Sequence, residues 1–210
     1  MASELFVVSH GAPLMRDNIN TDEIIPGPEM VRSNDDAFER WGQGLFAGWR
    51  YRAERIENPE FILNQAPWRT AAILIAGENF GCGSSREAAA RAIRGFGFRA
   101  VIAPSFAGIF FNNCLRNGVA PIVLPKEEVE RLAAEALALR AGQRLALDLQ
   151  GRIVTTQDGR CLRFELSDRG VLMLTTAMDE IALTLMDRGA LDVFWAADRQ
   201  RRPWIYSSDT

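Results

Sequence analysis

The sequence predicts an α/β fold with a mainly parallel sheet flanked by helices, followed by a C-terminal hairpin and helix. Between residues 70 and 139, short apolar runs alternate with helix-forming segments, which is the order of parallel strands and their crossover helices. From residue 144 onward, two strand-like runs and a helical segment replace that alternation. We therefore expect an α/β domain at residues 1–142 and a C-terminal part at residues 143–210, packed on the same core.

The first predicted unit is a strand, a glycine-rich loop and a helix, in that order. Residues 70–76 form an unbroken, largely apolar run, which is typical of a buried strand. Residues 88–93 are strong helix formers, and Gly95-Phe96-Gly97 marks the end of the helix. The loop at residues 77–86 is therefore expected to lie at the beginning of a helix.

The later elements are predicted from apolar runs, turn residues and the placement of charges. They are a strand at Ala100–Ala103, a helix at Phe106–Leu115, a strand at Val119–Leu124, a helix at Lys126–Leu139, a hairpin within Arg144–Leu166 that turns at Gln157-Asp158-Gly159, and a helix at Asp179–Ala197. The polar tail from Asp198 to Thr210 is expected either to wrap a partner or to fray.

The loop reads Gly-Glu-Asn-Phe-Gly-Cys-Gly-Ser-Ser-Arg-Glu over residues 77–87 and is typical of an anion site. Unpaired N–H groups and the positive end of the helix dipole point into such a loop, and Gly81 and Gly83 let the backbone approach a ligand closely. Arg86 adds a planar fork that matches a carboxylate or a phosphate. The simpler interpretation is that Ser84 or Ser85 is only the N-cap of the helix.

Two better-known kinds of glycine loop do not match this segment. A dinucleotide fingerprint needs a third glycine after Gly81-Cys82-Gly83, and a phosphate-binding P-loop needs Gly-Lys-Ser/Thr, which occurs nowhere in the chain. A nucleophile elbow needs Gly-x-Ser-x-Gly and a histidine partner, whereas Ser85 is followed by Arg86 and Glu87.

Composition favours a cytoplasmic enzyme component. The chain of 210 residues has 24 Lys plus Arg against 27 Asp plus Glu, a formal charge of -3, so nothing favours binding to nucleic acid or to an acidic membrane. No apolar run approaches the roughly 20 residues of a membrane span. Three cysteines without a Cys-x-x-Cys pattern, and a single histidine, His10, predict reduced thiols and no metal site made by this chain alone.

Three sequence blocks in the right order carry a family resemblance over nearly the whole chain. They are the loop at 77–87, the segment Asn18-Ile19-Asn20-Thr21-Asp22-Glu23-Ile24-Ile25-Pro26, and the segment from Arg99 through Pro104-Ser105-Phe106 and Phe111-Asn112-Asn113-Cys114 to Pro121-Ile122. Together they resemble the small subunit of 3-isopropylmalate dehydratase and, more distantly, the swivelling C-terminal domain of aconitase. The resemblance implies the aconitase-type swivelling β/β/α domain.

The resemblance also implies a reaction. It is the dehydration and rehydration of a small malate-type dicarboxylate, with a [4Fe–4S] cluster held by cysteines of a large partner subunit and none bound by this chain. By motif match, Ser84 abstracts the proton and Asp22 organises the base or a substrate hydroxyl. Ser85 and Arg86 bind the substrate carboxylate, and Arg32 reads the variable side of the substrate; for Asp22 a turn or helix cap, and for Arg32 a surface charge, are the alternatives.

Several positions depart from the family pattern. Ala88 stands where a histidine is usual, Asn20 where an aspartate is common, and the Arg-Arg-His segment before the last helix is replaced around Arg169-Gly170-Val171-Leu172. The alternatives that these departures leave open are a subunit for another alkylmalate, for citraconate or for dimethylmaleate, and a non-catalytic anion-binding homologue. A free-standing enzyme for a phosphorylated ligand would need a metal or general base that the sequence does not offer.

Overall fold

The structure is a computed structural model that describes residues 6–32, 38–139, 144–176 and 180–206. Within these ranges the strands are β1 (Phe6–Ser9), β2 (Gly11–Leu14), β3 (Ile73–Ala76), β4 (Ala100–Ala103), β5 (Ala120–Val123), β6 (Leu145–Asp148), β7 (Ile153–Thr155) and β8 (Cys161–Arg163). The helices are α1 (Thr21–Ile24), α2 (Gly27–Arg32), α3 (Phe38–Gly44), α4 (Ala47–Arg50), α5 (Glu87–Phe96), α6 (Gly108–Arg116), α7 (Lys126–Leu139), α8 (Asp168–Thr176), α9 (Glu180–Met186) and α10 (Arg188–Arg201).

The first sheet is parallel throughout and has the order β2-β3-β4-β5. Its central strands are buried on both faces, because alternate side chains enter two different cores. Leu74 packs with α5 and the preceding helices, while Ile73 and Ile75 pack with α7 on the opposite face. The α/β alternation predicted from the sequence is therefore confirmed, and the site loop follows the central strand β3.

The second sheet is antiparallel, with the order β1-β6-β7-β8. The predicted turn at residues 157–159 is confirmed, since it joins β7 to β8. The prediction of only two strand-like runs is wrong. The first run is divided into β6 and β7 by a tight turn, in which the Asp148 carboxylate accepts a hydrogen bond of 2.8 Å from the Gly151 N–H and Arg152 has φ +53°.

Strand β1, near the start of the chain, pairs with β6 of the C-terminal part. The sequence alone did not predict β1, β2 or the helices before residue 70. The proposed division at 142/143 lies at residues outside the described ranges and stays a prediction. Side chains from both sides of it, including Ile75 and Leu147, share one core.

The prediction of one helix at 179–197 is wrong, and residue 179 itself lies outside the described residues. Two helices, α9 and α10, occupy this region, because Asp187 leaves the helical conformation and its carboxylate accepts the Ala190 N–H at 3.4 Å as an N-cap. Helix α8 precedes them and was not predicted. Helix α10 continues to Arg201, so the first part of the expected tail is helical. None of the described helices is long and apolar enough to cross a lipid bilayer.

Candidate functional site

The loop after β3 runs beside residues 18–21 and is held to them by backbone hydrogen bonds. The Asn18 N–H donates to the Glu78 carbonyl at 2.8 Å, and the Gly81 N–H donates to the Ile19 carbonyl at 2.8 Å. The Thr21 N–H donates to the Cys82 carbonyl at 2.9 Å. Two of the sequence blocks therefore form one unit, although they are far apart in the chain.

Both predicted loop glycines have backbone conformations that favour glycine. Gly81 has φ +77° and Gly83 has φ +90°. A Cβ atom at Gly81 would lie 2.1 Å from Cγ of Phe110, whereas a Cβ at Gly83 would have no neighbour closer than 3.5 Å. The first glycine is therefore required by packing and by φ, and the second by φ alone.

Helix α1 positions the loop from the other side. Asn20 caps this helix with a capping box, in which its amide oxygen accepts the Glu23 N–H at 2.9 Å and the Glu23 carboxylate accepts the Asn20 N–H at 2.9 Å. Asn20 thus serves as the cap at the position where the family commonly has aspartate. The buried Thr21 hydroxyl donates to the Ser84 carbonyl at 2.9 Å and so fixes the backbone of the first serine.

A pocket of about 130 Å³ lies between this loop and the start of α6. It is lined by Thr21, Gly81, Gly83, Ser84, Ser85, Arg86, Ala107, Gly108, Ile109, Phe110 and Asn113. Helices α5 and α6 both begin beside the pocket, so the positive ends of their dipoles point toward it. The pocket can therefore stabilise a negatively charged group.

The two serines are exposed at this pocket, and the interpretation of either one as the N-cap of α5 is wrong. The N-cap position is Arg86, without a side-chain capping bond. The hydroxyls of Ser84 and Ser85 make no hydrogen bond with any residue in the described ranges. Both hydroxyls are therefore available to a ligand.

Arg86 joins three predicted site residues. Its Nη1 forms an ion pair with the Asp22 carboxylate and lies 3.9 Å from Sδ of Met30. In the described part of the chain both contacts use Nη1, so Nε and Nη2 keep their donors for a ligand. Asp22 is not a helix cap, because Asn20 has that role. The ion pair with Arg86 holds the Asp22 carboxylate at the edge of the pocket.

The structure does not bring Arg32 into the pocket. Its side chain is 62% exposed at the end of α2, and its Nη1 lies 3.9 Å from the Glu29 carboxylate. Thr21 and the residues of α6, in contrast, line the pocket although they were not assigned to the site from the sequence. Thr21 and Asn113 belong to the sequence blocks that carry the resemblance, which is the one signal that pointed to them.

The described residues contain no group of three or more His, Cys, Asp or Glu side chains that could hold a metal ion. The cysteines differ in exposure: Cys114 is buried, Cys82 is partly exposed and Cys161 is exposed. Burial raises the pKa of the Cys114 thiol far above its ordinary value, which leaves it neutral and unreactive.

Comparisons with known proteins identify the family. A family model described as Aconitase C-terminal domain matches residues 5–127. The 3-isopropylmalate dehydratase small subunit of Cupriavidus necator is 46% identical over 97% of this chain and 98% of its own length. The corresponding proteins of Gluconacetobacter diazotrophicus and Neisseria meningitidis are 45% and 42% identical, over 92% and 93% of this chain and 91% and 94% of their own lengths.

The chain belongs to the 3-isopropylmalate dehydratase small-subunit family. A solved structure agrees with this assignment: the crystal structure of 3-isopropylmalate dehydratase (leuD) from Methanocaldococcus jannaschii has a TM-score of 0.63 and is 27% identical, covering 90% of this chain and 98% of that one. The predicted aconitase-type fold is thus confirmed for this family member. Ala88, at the position of the usual family histidine, is buried in the core and does not line the pocket.

Proposed function

We propose that this chain is the small subunit of a cytoplasmic 3-isopropylmalate dehydratase, a hydro-lyase of leucine biosynthesis. The enzyme would interconvert 2-isopropylmalate and 3-isopropylmalate by removing water and adding it back. Relatives at 42% to 46% identity over most of the chain bear this name, which supports the assignment. The observation that carries it is the pair of serine hydroxyls, without partners among the described residues, beside Arg86 in one pocket.

Ser84 is the proposed base. Dehydration removes a proton from the carbon next to a carboxylate, and the electron pair of that C–H bond expels the hydroxyl from the adjacent carbon. Ser84 Oγ, acting as an alkoxide, accepts this proton and returns it during rehydration. A serine alkoxide is costly at neutral pH, and the N-terminus of α5 and the Arg86 guanidinium are the groups that stabilise it.

Arg86 and Ser85 are the proposed binding groups for a substrate carboxylate. The free Nε and Nη2 donors of Arg86 match a carboxylate, and the Ser85 hydroxyl adds a further donor. The ion pair between Asp22 and Arg86 orients the guanidinium, so Asp22 organises the site from its edge. Gly81 and Gly83 allow the loop backbone to follow the bound anion closely.

Apolar groups at the site favour an alkyl-substituted malate. Met30 contacts the guanidinium of Arg86, and Ile109 lines the pocket with its side chain largely exposed. An isopropyl group next to a carboxylate would bury apolar surface against both. A further carboxylate would lose hydration there without a partner, since Arg32 lies outside the pocket. Arg32 would read the variable side of the substrate only if α2 moved and carried its side chain to the pocket.

The pocket needs a second component, which we assign to a large partner subunit. That subunit would carry the [4Fe–4S] cluster, which supplies a Lewis acid for the substrate hydroxyl. The serines are exposed in this chain, and docking of the large subunit over them would exclude water from the reacting groups. The partner would form a heterodimer or a larger assembly with this chain.

Reconstitution tests the assignment directly. We expect the purified chain to be colourless and inactive, and to give isopropylmalate dehydratase activity when mixed with a large subunit that holds an intact cluster. Turnover by the chain alone, or a reconstituted pair that prefers citrate, homoaconitate or citraconate over 2-isopropylmalate in kcat/KM, would reject it. A pair that binds 2-isopropylmalate without converting it would instead favour a non-catalytic homologue.

The adjacent serines provide a matched comparison within the reconstituted enzyme. Ser84→Ala should lower kcat by at least about a hundredfold, because the base is lost, with little change in folding. Ser85→Ala changes the same atoms one residue away and should mainly raise KM. Equal effects of the two substitutions, or near-native kcat in Ser84→Ala, would show that Ser84 is not the base.

A further inference from the structure

The first turn of α6 forms part of the pocket wall and presents unpaired hydrogen-bond donors. Gly108, Ile109 and Phe110 line the pocket, and their N–H groups have no backbone acceptor within the described ranges. The first α6 residue whose N–H finds an acceptor in the helix is Phe111, which donates to the Ala107 carbonyl at 2.9 Å. Helix α6 spans Gly108–Arg116, long enough for its dipole to favour an anion at this end.

Asn113 provides a second and independent observation at the same place. It lines the pocket and is only 6% exposed, yet its side-chain amide makes no hydrogen bond with any described residue. Asn113 lies four residues after Ile109, and side chains lean toward the N-terminus of their helix, so the amide is directed toward the α6 first turn. The amide atoms are not enclosed away from solvent, so they open onto the pocket, where a ligand can bond to them.

The charge balance of the pocket explains why an additional donor group is useful. Arg86 supplies the positive side chain among the lining residues, and its charge is already paired with Asp22. An incoming carboxylate therefore meets a largely neutralised guanidinium. The α6 dipole and the Asn113 amide add favourable interactions without adding a second cation.

We propose that Asn113 and the first turn of α6 form an oxyanion subsite for the carboxylate of 2-isopropylmalate that stands on its CH2 group, while Arg86 and Ser85 bind the other carboxylate. This inference rests on the proposed function for the identity of the ligand. The N–H groups of Ile109 and Gly108 donate to one carboxylate oxygen, and the Asn113 amide donates to the same group. The subsite makes this chain selective for a dicarboxylate over the corresponding monocarboxylate.

Equilibrium binding to the full-length ¹⁵N-labelled chain tests this subsite without requiring turnover. The probes are 2-isopropylmalate and 2-hydroxy-2,3-dimethylbutanoate, which lacks one of its two carboxylates. The dicarboxylate should give saturable shifts of the Ile109 backbone amide and the Asn113 side-chain amide. Asn113→Asp should weaken its binding by about tenfold or more, because the donor is replaced by a like charge, while the monocarboxylate should bind as before.

Asn112→Asp is the matched control, because it makes the same chemical change one residue earlier on α6 at an exposed position outside the pocket. It should alter binding of the dicarboxylate by less than about twofold. If Asn113→Asp does not fold, Asn113→Ala removes the amide without adding charge and should weaken the dicarboxylate selectively. Equal weakening of both probes would show that Asn113 only shapes the pocket and would overturn the subsite.

The outcome separates this inference from the proposed function. Asn113-dependent binding of 2-isopropylmalate in a chain whose reconstituted pair does not convert it would support the subsite and reject the dehydratase assignment. Turnover by the reconstituted pair, together with 2-isopropylmalate binding that is unchanged in Asn113→Asp, would support the dehydratase assignment and overturn the subsite. Failure of the wild-type chain to bind the dicarboxylate more tightly than the monocarboxylate would overturn the subsite.

Discussion

At the scale of single residues, the site depends on small side chains that fix backbone rather than on large ones that fill space. Thr21 shows this most clearly, because its hydroxyl reaches the Ser84 carbonyl across 63 residues of sequence at 2.9 Å. The hydroxyl is buried, so a residue without it would leave that carbonyl without this partner. The position of the proposed base is therefore set by a residue that has no proposed chemical role.

We predict that Thr21→Val lowers kcat of the reconstituted enzyme by about tenfold, because misplacing a reacting group by a small distance is costly. Loss of the hydrogen bond should also destabilise the chain by about 1 kcal/mol, which is a fall in Tm of about 2–4 °C for a chain of this length. Steady-state kinetics and thermal unfolding measure the two effects.

Thr70→Val is the control for this prediction. The Thr70 hydroxyl also donates to a carbonyl, that of Pro67 at 3.3 Å, but it is exposed and does not line the pocket. Thr70→Val should leave kcat of the reconstituted enzyme unchanged. Native kcat in Thr21→Val would mean that the loop holds Ser84 without the hydroxyl.

At the scale of elements, the loop after β3 and the N-termini of α1, α5 and α6 build the pocket. Strand β3 delivers the loop, α5 and α6 face it with their N-termini, and Phe110 of α6 packs directly against Gly81. The close approach of loop and helix exists because the loop has no side chain at that point. The same close approach places the N–H donors of the α6 first turn in the pocket wall.

The two loop glycines should therefore differ in their tolerance of alanine. Gly81→Ala would place Cβ 2.1 Å from Cγ of the buried Phe110 and should cost about 3 kcal/mol in the free energy of unfolding, from overpacking and positive φ together. Gly83→Ala meets no close neighbour and should cost about 1 kcal/mol, from φ alone. Urea unfolding of the two variants measures the difference, and equal costs would contradict this account of the loop.

The end of α10 should respond to acid. The pKa of the Asp198 carboxyl is lowered because the Arg202 side chain donates to it, with the Tyr206 hydroxyl as a second donor. This stabilisation is present above the unfolded pKa of about 3.9 and is lost as pH falls through the lowered folded value. Amide signals of Arg202 and Tyr206 should therefore shift toward unfolded positions as the pH falls below about 4.

Two substitutions on α10 check that response. Asp198→Asn should abolish it, because the titrating group is gone. Asp192→Asn changes an exposed carboxylate on the same helix and should leave it intact. A response that survives in Asp198→Asn would assign it to another group.

At the scale of the whole molecule, the two sheets share one core. Ile73 and Ile75 of the parallel sheet and Leu145 and Leu147 of the antiparallel sheet pack in the same cluster. Strand β1 also pairs with β6 before the chain enters β2, which is part of the other sheet. Separation of the sheets would therefore expose apolar surface on both sides.

We predict that the chain unfolds in a single cooperative transition. Amide signals from β4 and from β8 should disappear at the same urea concentration, because neither sheet keeps its buried face without the other. The proposed boundary at 142/143 would then mark a change of topology rather than a separate folding unit. Two transitions that divide the signals at this boundary would contradict the shared core.

The sequence by itself determined the features that depend on neighbouring residues. The order β3, loop, α5 could be predicted because an apolar run, two glycines and helix formers follow each other directly. The same run of neighbouring residues predicts an anion site at Ser84 to Arg86, which stays a prediction. The second sheet was predicted only in part, since the alternation in residues 144–166 does not reveal that β1 is its fourth strand.

Only the tertiary structure decided which distant residues meet at the pocket. The contact of Asp22 with Arg86, the bond from Thr21 to Ser84 and the place of Asn113 in the wall all join segments that are separated in the chain. It also left Arg32 exposed, although its loop resembles a specificity loop. The physical reason is that backbone conformation and helix capping are set by local sequence, whereas side-chain proximity is set by how the buried faces of distant elements pack.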